Sequence, residues 1–288
     1  MFASFWRPQM NDETSFLRRA PRIPLIRQIA VALAAQRFYA LISANRRVSM
    51  GAPTERNLPN KPTSRIFFFG DSNCIGQGMS PHFAWVTRLS RALDERFSSR
   101  ADVLTQNPSV NGNTTRMALE RMPYDVQSHA PDVLYIQFGL NDCNGWETDR
   151  GRPRVSRDAF AANLGEMVDS GRIFGAQQVI LGTNHPTTRT ARLPYVDHTY
   201  EEANGTYNAI IRQVAEAKGT LLADAEVAFD EAVNAGEARY AHLVLADQLH
   251  LSCTGHDLYL RNRLPTLSAA IEAIIARAPF EFVLTEMA

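Results

Sequence analysis

Four polar clusters in this 288-residue chain carry side chains suited to attacking an acyl carbonyl. Ser72, within Phe69-Gly70-Asp71-Ser72-Asn73, is a hydroxyl that becomes a useful nucleophile only beside a base. Asp247-Gln248-Leu249-His250 offers that base. An aspartate three residues ahead of a histidine can curl back in a turn, reach the imidazole and fix its tautomer. The tetrahedral oxyanion formed on attack then needs donors. Gly112, within Val110-Asn111-Gly112-Asn113-Thr114-Thr115, offers a backbone N–H with room for close approach. Asn141, within Gly139-Leu140-Asn141-Asp142, offers a side-chain amide. Taken singly, each fragment also reads as a helix cap or a turn.

The elements that must position these clusters follow from the hydrophobic pattern. Short apolar runs at 65–69, 102–106, 133–138, 178–181 and 220–223 read as strands. Segments of helical period at 83–96, 115–122, 158–174, 200–218 and 255–276 alternate with them. This alternation predicts a parallel sheet covered on both faces, an α/β fold of three layers. In such sheets ligands bind beyond the carboxyl ends of the strands. The first three clusters all follow predicted strands, and Asn184-His185-Pro186 follows the fourth. Asp247 and His250 precede the last helix, with Gly255 expected to let the chain turn into it.

Together, in this order, the four fragments resemble the blocks of the SGNH (GDSL-type) hydrolase family, over about residues 65–270. The resemblance implies a three-layer α/β/α sandwich with a flavodoxin-like parallel sheet of about five strands. It implies a serine esterase in which Ser72 is the nucleophile, His250 the base and Asp247 its orienting acid. The oxyanion hole would be the N–H groups of Ser72 and Gly112 with the Asn141 amide. No metal and no cofactor are implied. Asp71 is expected to bond neighbouring backbone. Asp142 is expected to be structural, because the motif gives it no proton to transfer.

The remaining polar features are less determined. Asn184 and His185 either line the substrate pocket or form a turn with Pro186. Trp146, in the polar loop 143–157, either stacks on a sugar or acyl group or anchors its own loop. Cys74, Cys143 and Cys253 each lie within a few residues of a cluster; they read as small buried apolar residues, with a redox clamp or metal site as the rival. Phosphate-loop, dinucleotide and Gly-x-Ser-x-Gly signatures are absent.

The composition, 45% hydrophobic with no net charge, gives no sign of a nucleic-acid partner. Residues 1–60 hold nine Arg, no Lys and three acids, a charge of +6 that leaves −6 for the rest. They are expected to form a basic helical extension (apolar face at 25–42) and a linker (51–64) ahead of a catalytic domain at 61–288. That helix is expected to pack on the body or a second subunit rather than on a membrane surface. Few cysteines and no signal-peptide pattern point to the cytoplasm. The substrate class expected is a small acyl ester, acetyl in particular, on a sugar or similar carrier. The alternatives are an acyltransferase using the same residues and a non-catalytic binding module.

Overall fold

A computed structural model of the chain describes residues 61–277. Five parallel strands form one sheet: β1 (Thr63–Gly70), β2 (Asp102–Gln106), β3 (Val133–Gln137), β4 (Gln178–Gly182) and β5 (Leu221–Ala223). Their order is β2-β1-β3-β4-β5, the flavodoxin-like order that the family resemblance implies. All five coincide with the predicted runs apart from their ends.

β1 explains why its sequence is so uniformly apolar. Successive strand side chains face opposite sides. Ile66 and Phe68 enter one core, Phe67 and Phe69 the other. All four are at most 1% exposed. Each such side chain contributes roughly 1.5–3 kcal/mol on burial.

The helices are α1 (Ser72–Ile75), α2 (Trp85–Phe97), α3 (Thr115–Asp125), α4 (Arg157–Ile173), α5 (Tyr200–Lys218), α6 (Ala225–Asn234), α7 (Tyr240–Leu243) and α8 (Cys253–Arg277). Side chains of α2, α6 and α8 fill the core on one face of the sheet. Those of α3, α4 and α5 fill the other. The starts of the helices are written locally. Thr199 and Glu202 form a reciprocal cap at α5, and Thr114 and Ser156 cap α3 and α4.

Three features depart from the sequence reading. α6 and α7 are additional helices; Asp224, directly after the fifth strand, caps α6. Gly255 lies inside α8 rather than ahead of it, and a Cβ there would meet the Leu243 carbonyl oxygen at 2.1 Å. Its role is close approach, not a turn. The amphipathic helix at 25–42 and the linker to residue 60 lie outside the described residues; Thr63 and Ser64, assigned to that linker, begin β1. Among the described residues no helix is long and apolar enough to cross a membrane.

The chain leaves β1 through α2 on one face and leaves β3 through α4 on the other. β1 and β3 are hydrogen-bonded neighbours. Their carboxyl ends therefore open a crevice at the switch point of the sheet, where ligands bind in folds of this kind.

Candidate active site

Asp71 follows β1 and caps α1, accepting a hydrogen bond from Asn73 N–H at 3.0 Å. That places Ser72 at the first position of a one-turn helix, where a backbone N–H has no partner within the helix. The hydroxyl of Ser72 lies 2.9 Å from His250 Nε2. His250 Nδ1 lies 2.5 Å from Asp247 Oδ2. The other carboxylate oxygen of Asp247 accepts from the N–H groups of Leu249 and His250, both at 3.0 Å. The turn predicted from the three-residue spacing thus exists and is closed by the aspartate itself. It places Gln248 at φ +64, a left-handed conformation unusual for a residue with a Cβ.

Burial is the largest single influence on Asp247 and pushes its carboxyl up. The bonds from the His250 ring and from the two N–H groups together outweigh it and hold the group below its usual value. A carboxylate facing Nδ1 keeps the proton there and leaves Nε2 to accept from Ser72. Such a line of groups can draw a proton from a serine hydroxyl as it attacks.

Around Ser72 the other predicted residues converge from three turns. Gly112 is exposed at φ +73, with open space where a Cβ would stand. Its turn is tied to β1 through Val110 N–H donating to Gly70 O at 3.1 Å. Asn141 donates its amide to Asp71 Oδ2 at 3.0 Å. Asp71 is fully buried, and burial pushes its carboxyl up to about 6 against the pull of the Asn73 and Asn141 bonds. Asp142 is buried. It accepts from the N–H of Thr115 at 2.8 Å and from its hydroxyl at 2.6 Å, pinning the Gly112 turn to the Asn141 turn.

Two expected pocket residues are not at the surface. Asn184 and His185 are both 0% exposed and have no face to offer a substrate. The Asn184 amide donates to Phe138 O at 3.0 Å, and its backbone is gripped by Asn208 in both directions. It braces the chain that leads to Asn141. Both ring nitrogens of His185 bond within the protein. The segment 183–190 after β4 forms neither a turn nor a helix, so the His-Pro turn, the other of its two readings, is not formed either.

Trp146 remains accessible, 53% exposed. The guanidinium of Arg154 lies 4.5 Å from its ring centroid and donates to Gly112 O at 3.2 Å. Trp146 is therefore linked to the Gly112 turn through Arg154, a residue the motif reading did not select. Nothing in the local sequence singles Arg154 out from its arginine neighbours at 150, 152 and 157. Arg189 was missed for the same reason; it donates to the Asp247 backbone oxygen at 3.1 Å.

The three cysteines do not gather. Cys74 and Cys143 are buried in cores on opposite faces of the sheet, and Cys253 is exposed at the start of α8. Among the described residues no His, Cys, Asp and Glu side chains cluster in the way a metal ion requires.

Known proteins resemble this chain in sequence and in fold. An arylesterase of Vibrio mimicus is 29% identical over 49% of this chain and 64% of its own length. An acetylxylan esterase of Geobacillus stearothermophilus is 25% identical over 67% of this chain and 81% of its own. A solved acetylxylan esterase structure from Geobacillus stearothermophilus superposes with a TM-score of 0.58 at 22% identity, covering 71% of this chain and 94% of that one. The chain thus spans less than two thirds of the arylesterase. Residues 68–258, which hold all four polar clusters, match one family across their whole extent, and the chain belongs to the GDSL-like lipase/acylhydrolase family.

Proposed function

We propose that the protein is a carboxylic ester hydrolase that removes a small acyl group, acetyl in particular, from a carbohydrate carrier. The observation that carries this reading is the unbroken line Ser72–His250–Asp247, with contacts of 2.9 and 2.5 Å. His250 Nε2 takes the hydroxyl proton while Ser72 Oγ bonds to the ester carbon. The N–H groups of Ser72 and Gly112 and the free amide hydrogen of Asn141 receive the oxyanion; one such donor is worth about 2.7–4 kcal/mol in the barrier. The imidazolium then gives its proton to the departing alcohol. Water attacks the acyl-serine by the same route, and the acid leaves with Ser72 restored.

The substrate class is supported by two things. One relative is named as an acetylxylan esterase. The half-exposed indole of Trp146, held beside the Gly112 turn, offers a flat apolar face of the sort sugar rings stack on.

The test is a p-nitrophenyl ester series of increasing acyl length, with acetylated xylo-oligosaccharide alongside, on the native chain and on Ser72→Ala. The expected result is fastest turnover of acetyl esters, release of acetate from the oligosaccharide, and loss of both in the variant. Undiminished hydrolysis by Ser72→Ala would sink the nucleophile assignment. A preference for long acyl chains would sink the substrate class.

A further inference from the structure

Beneath the site runs a line of buried polar side chains that the reaction scheme does not use. Arg263, Tyr135, Gln137, Tyr259 and His185 are each at most 1% exposed. Arg263 Nε donates to the Tyr135 hydroxyl at 2.9 Å, and that hydroxyl donates to Gln137 Oε1 at 2.9 Å. Gln137 Nε2 donates to the Tyr259 hydroxyl at 2.9 Å. The Tyr259 hydroxyl lies 2.7 Å from His185 Nδ1, and His185 Nε2 lies 2.7 Å from Leu249 O.

The direction of every bond is forced. A guanidinium only donates. The Tyr135 oxygen therefore accepts, and its proton turns to Gln137. At the other end a carbonyl only accepts, so His185 carries its proton on Nε2. Burial pushes the His185 ring down to about 3, so the ring is neutral and Nδ1 is bare. Tyr259 must then donate to Nδ1, leaving its oxygen to accept from Gln137. All five donors point from the Arg263 cation toward Leu249. In a dry interior such a chain polarises cooperatively. The cation itself lies against ring faces, 3.6 Å from the Tyr259 centroid and 5.2 Å from that of Trp85.

Leu249 is the residue before His250, and its carbonyl is one of three successive carbonyls of the turn that the segment after β4 receives. Arg189 Nε donates to Asp247 O at 3.1 Å and Thr188 N–H to Gln248 O at 3.2 Å. The bonds made by Asp247 hold the turn's internal shape; these three bonds fix where it sits relative to the sheet. Of their donors, the His185 ring is the one deep in the core. Resting on the assignment of His250 as base, we propose that His185 is a positioning residue for the reaction: by donating to Leu249 O it sets the place of His250 over Ser72, and the Arg263–Tyr135–Gln137–Tyr259 relay keeps the required proton on His185 Nε2.

The test compares His185→Phe, His185→Gln and Tyr259→Phe in the full chain, at a temperature where circular dichroism shows each folded. kcat and KM for p-nitrophenyl acetate are measured separately. Phe keeps the ring and loses the donor. Gln returns an N–H at the place of Nε2. Tyr259→Phe leaves the histidine and its Leu249 contact but removes the hydroxyl that donates to Nδ1 and reinforces the tautomer. The expected result is a kcat lowered on the order of 10- to 100-fold in His185→Phe with KM within about twofold, since a displacement near 1 Å has this effect. His185→Gln should recover most of the loss, and Tyr259→Phe should fall between. Equal losses in His185→Phe and His185→Gln would assign the effect to packing and overturn the proposal. So would a His185→Phe kcat equal to the native one. If His185→Phe does not fold, a native kcat in Tyr259→Phe overturns it and an intermediate one supports it. Ser72→Ala run alongside separates the two readings. An active Ser72→Ala removes the catalytic assignment, whereas an inactive one beside an unaffected His185→Phe removes this inference alone.

Discussion

The amide nitrogen of Asn141 donates to the buried carboxylate of Asp71 across 3.0 Å. The two residues stand on turns that follow adjacent strands, β1 and β3. A primary amide has two hydrogens. Fixing one on Asp71 aims the other, so in the proposed mechanism Asp71 acts through Asn141 without touching the substrate.

Asp71→Asn should therefore lower kcat far more than it changes KM. The variant faces Asn73 N–H and Asn141 with one acceptor and one donor in place of two acceptors. One of the two bonds is lost, and Asn141 is free to turn. The loss expected is on the order of 10- to 100-fold in kcat, somewhat less than deleting an oxyanion donor outright. Steady-state kinetics on p-nitrophenyl acetate decide the matter; a kcat equal to the native value would show that Asn141 is held by other means.

Asp142 should make stability fall as pH rises, the reverse of ordinary acid unfolding. Its Oδ1 takes both Thr115 bonds, while Oδ2 is buried with no partner among the described residues. Burial pushes the carboxyl from 3.8 up to about 6. Because the folded value lies above the unfolded one, ionisation costs stability. That cost is absent below the unfolded value and complete above the folded one, and reaches about 3 kcal/mol at 1.36 kcal/mol per unit. Asp142→Asn removes it and keeps Oδ1. The variant's urea-unfolding free energy, relative to the native protein, should rise between about pH 4 and pH 8 by up to about 3 kcal/mol. A pH-independent difference would mean that the charge is compensated in the fold.

The sequence made some of this legible and hid the rest for identifiable reasons. The contacts among Ser72, His250 and Asp247 were readable because spacing brings them within reach: a serine just after a strand, and a histidine three residues beyond an aspartate. The positions of the strands followed from where apolar runs stop, whereas their order in the sheet came only from the resemblance to the family. His185 misled because a histidine beside a loop end looks available, and nothing local says that Tyr259, 74 residues away, takes its Nδ1. Arg263 was invisible for the same reason; it sits in a helix among other polar residues, and only the packed rings around it show its place. Partners separated by long stretches of chain leave no periodic trace.

The thiols should differ sharply in reactivity. Burial pushes both Cys74 and Cys143 well above the ordinary thiol value, and the thiolate is the reacting form. Cys253 is exposed. Iodoacetamide on the folded protein should add one carbamidomethyl group, at Cys253, with activity retained, and all three cysteines should react after unfolding. Peptide mass mapping reads the outcome. Labelling of Cys74 in active, folded protein would mean that the core beneath β1 opens.

Trp146 and Arg154 should separate carrier binding from chemistry. The indole is accessible, whereas Arg154 also holds Gly112 O and reaches Met117 Sδ at 3.8 Å. Trp146→Ala removes the platform and leaves the Gly112 turn in place. It should raise KM for acetylated xylo-oligosaccharide several-fold and leave p-nitrophenyl acetate, which has no sugar to stack, unchanged. Arg154→Ala loosens the glycine turn as well, so kcat should fall on both substrates. The guanidinium–indole contact itself, worth about 0.5–1 kcal/mol at an exposed site, accounts for only about two- to fivefold; any larger effect of Arg154→Ala must come through Gly112. If the two variants proved indistinguishable on both substrates, Trp146 would be an anchor of its loop, and the sugar would have to bind elsewhere around Ser72.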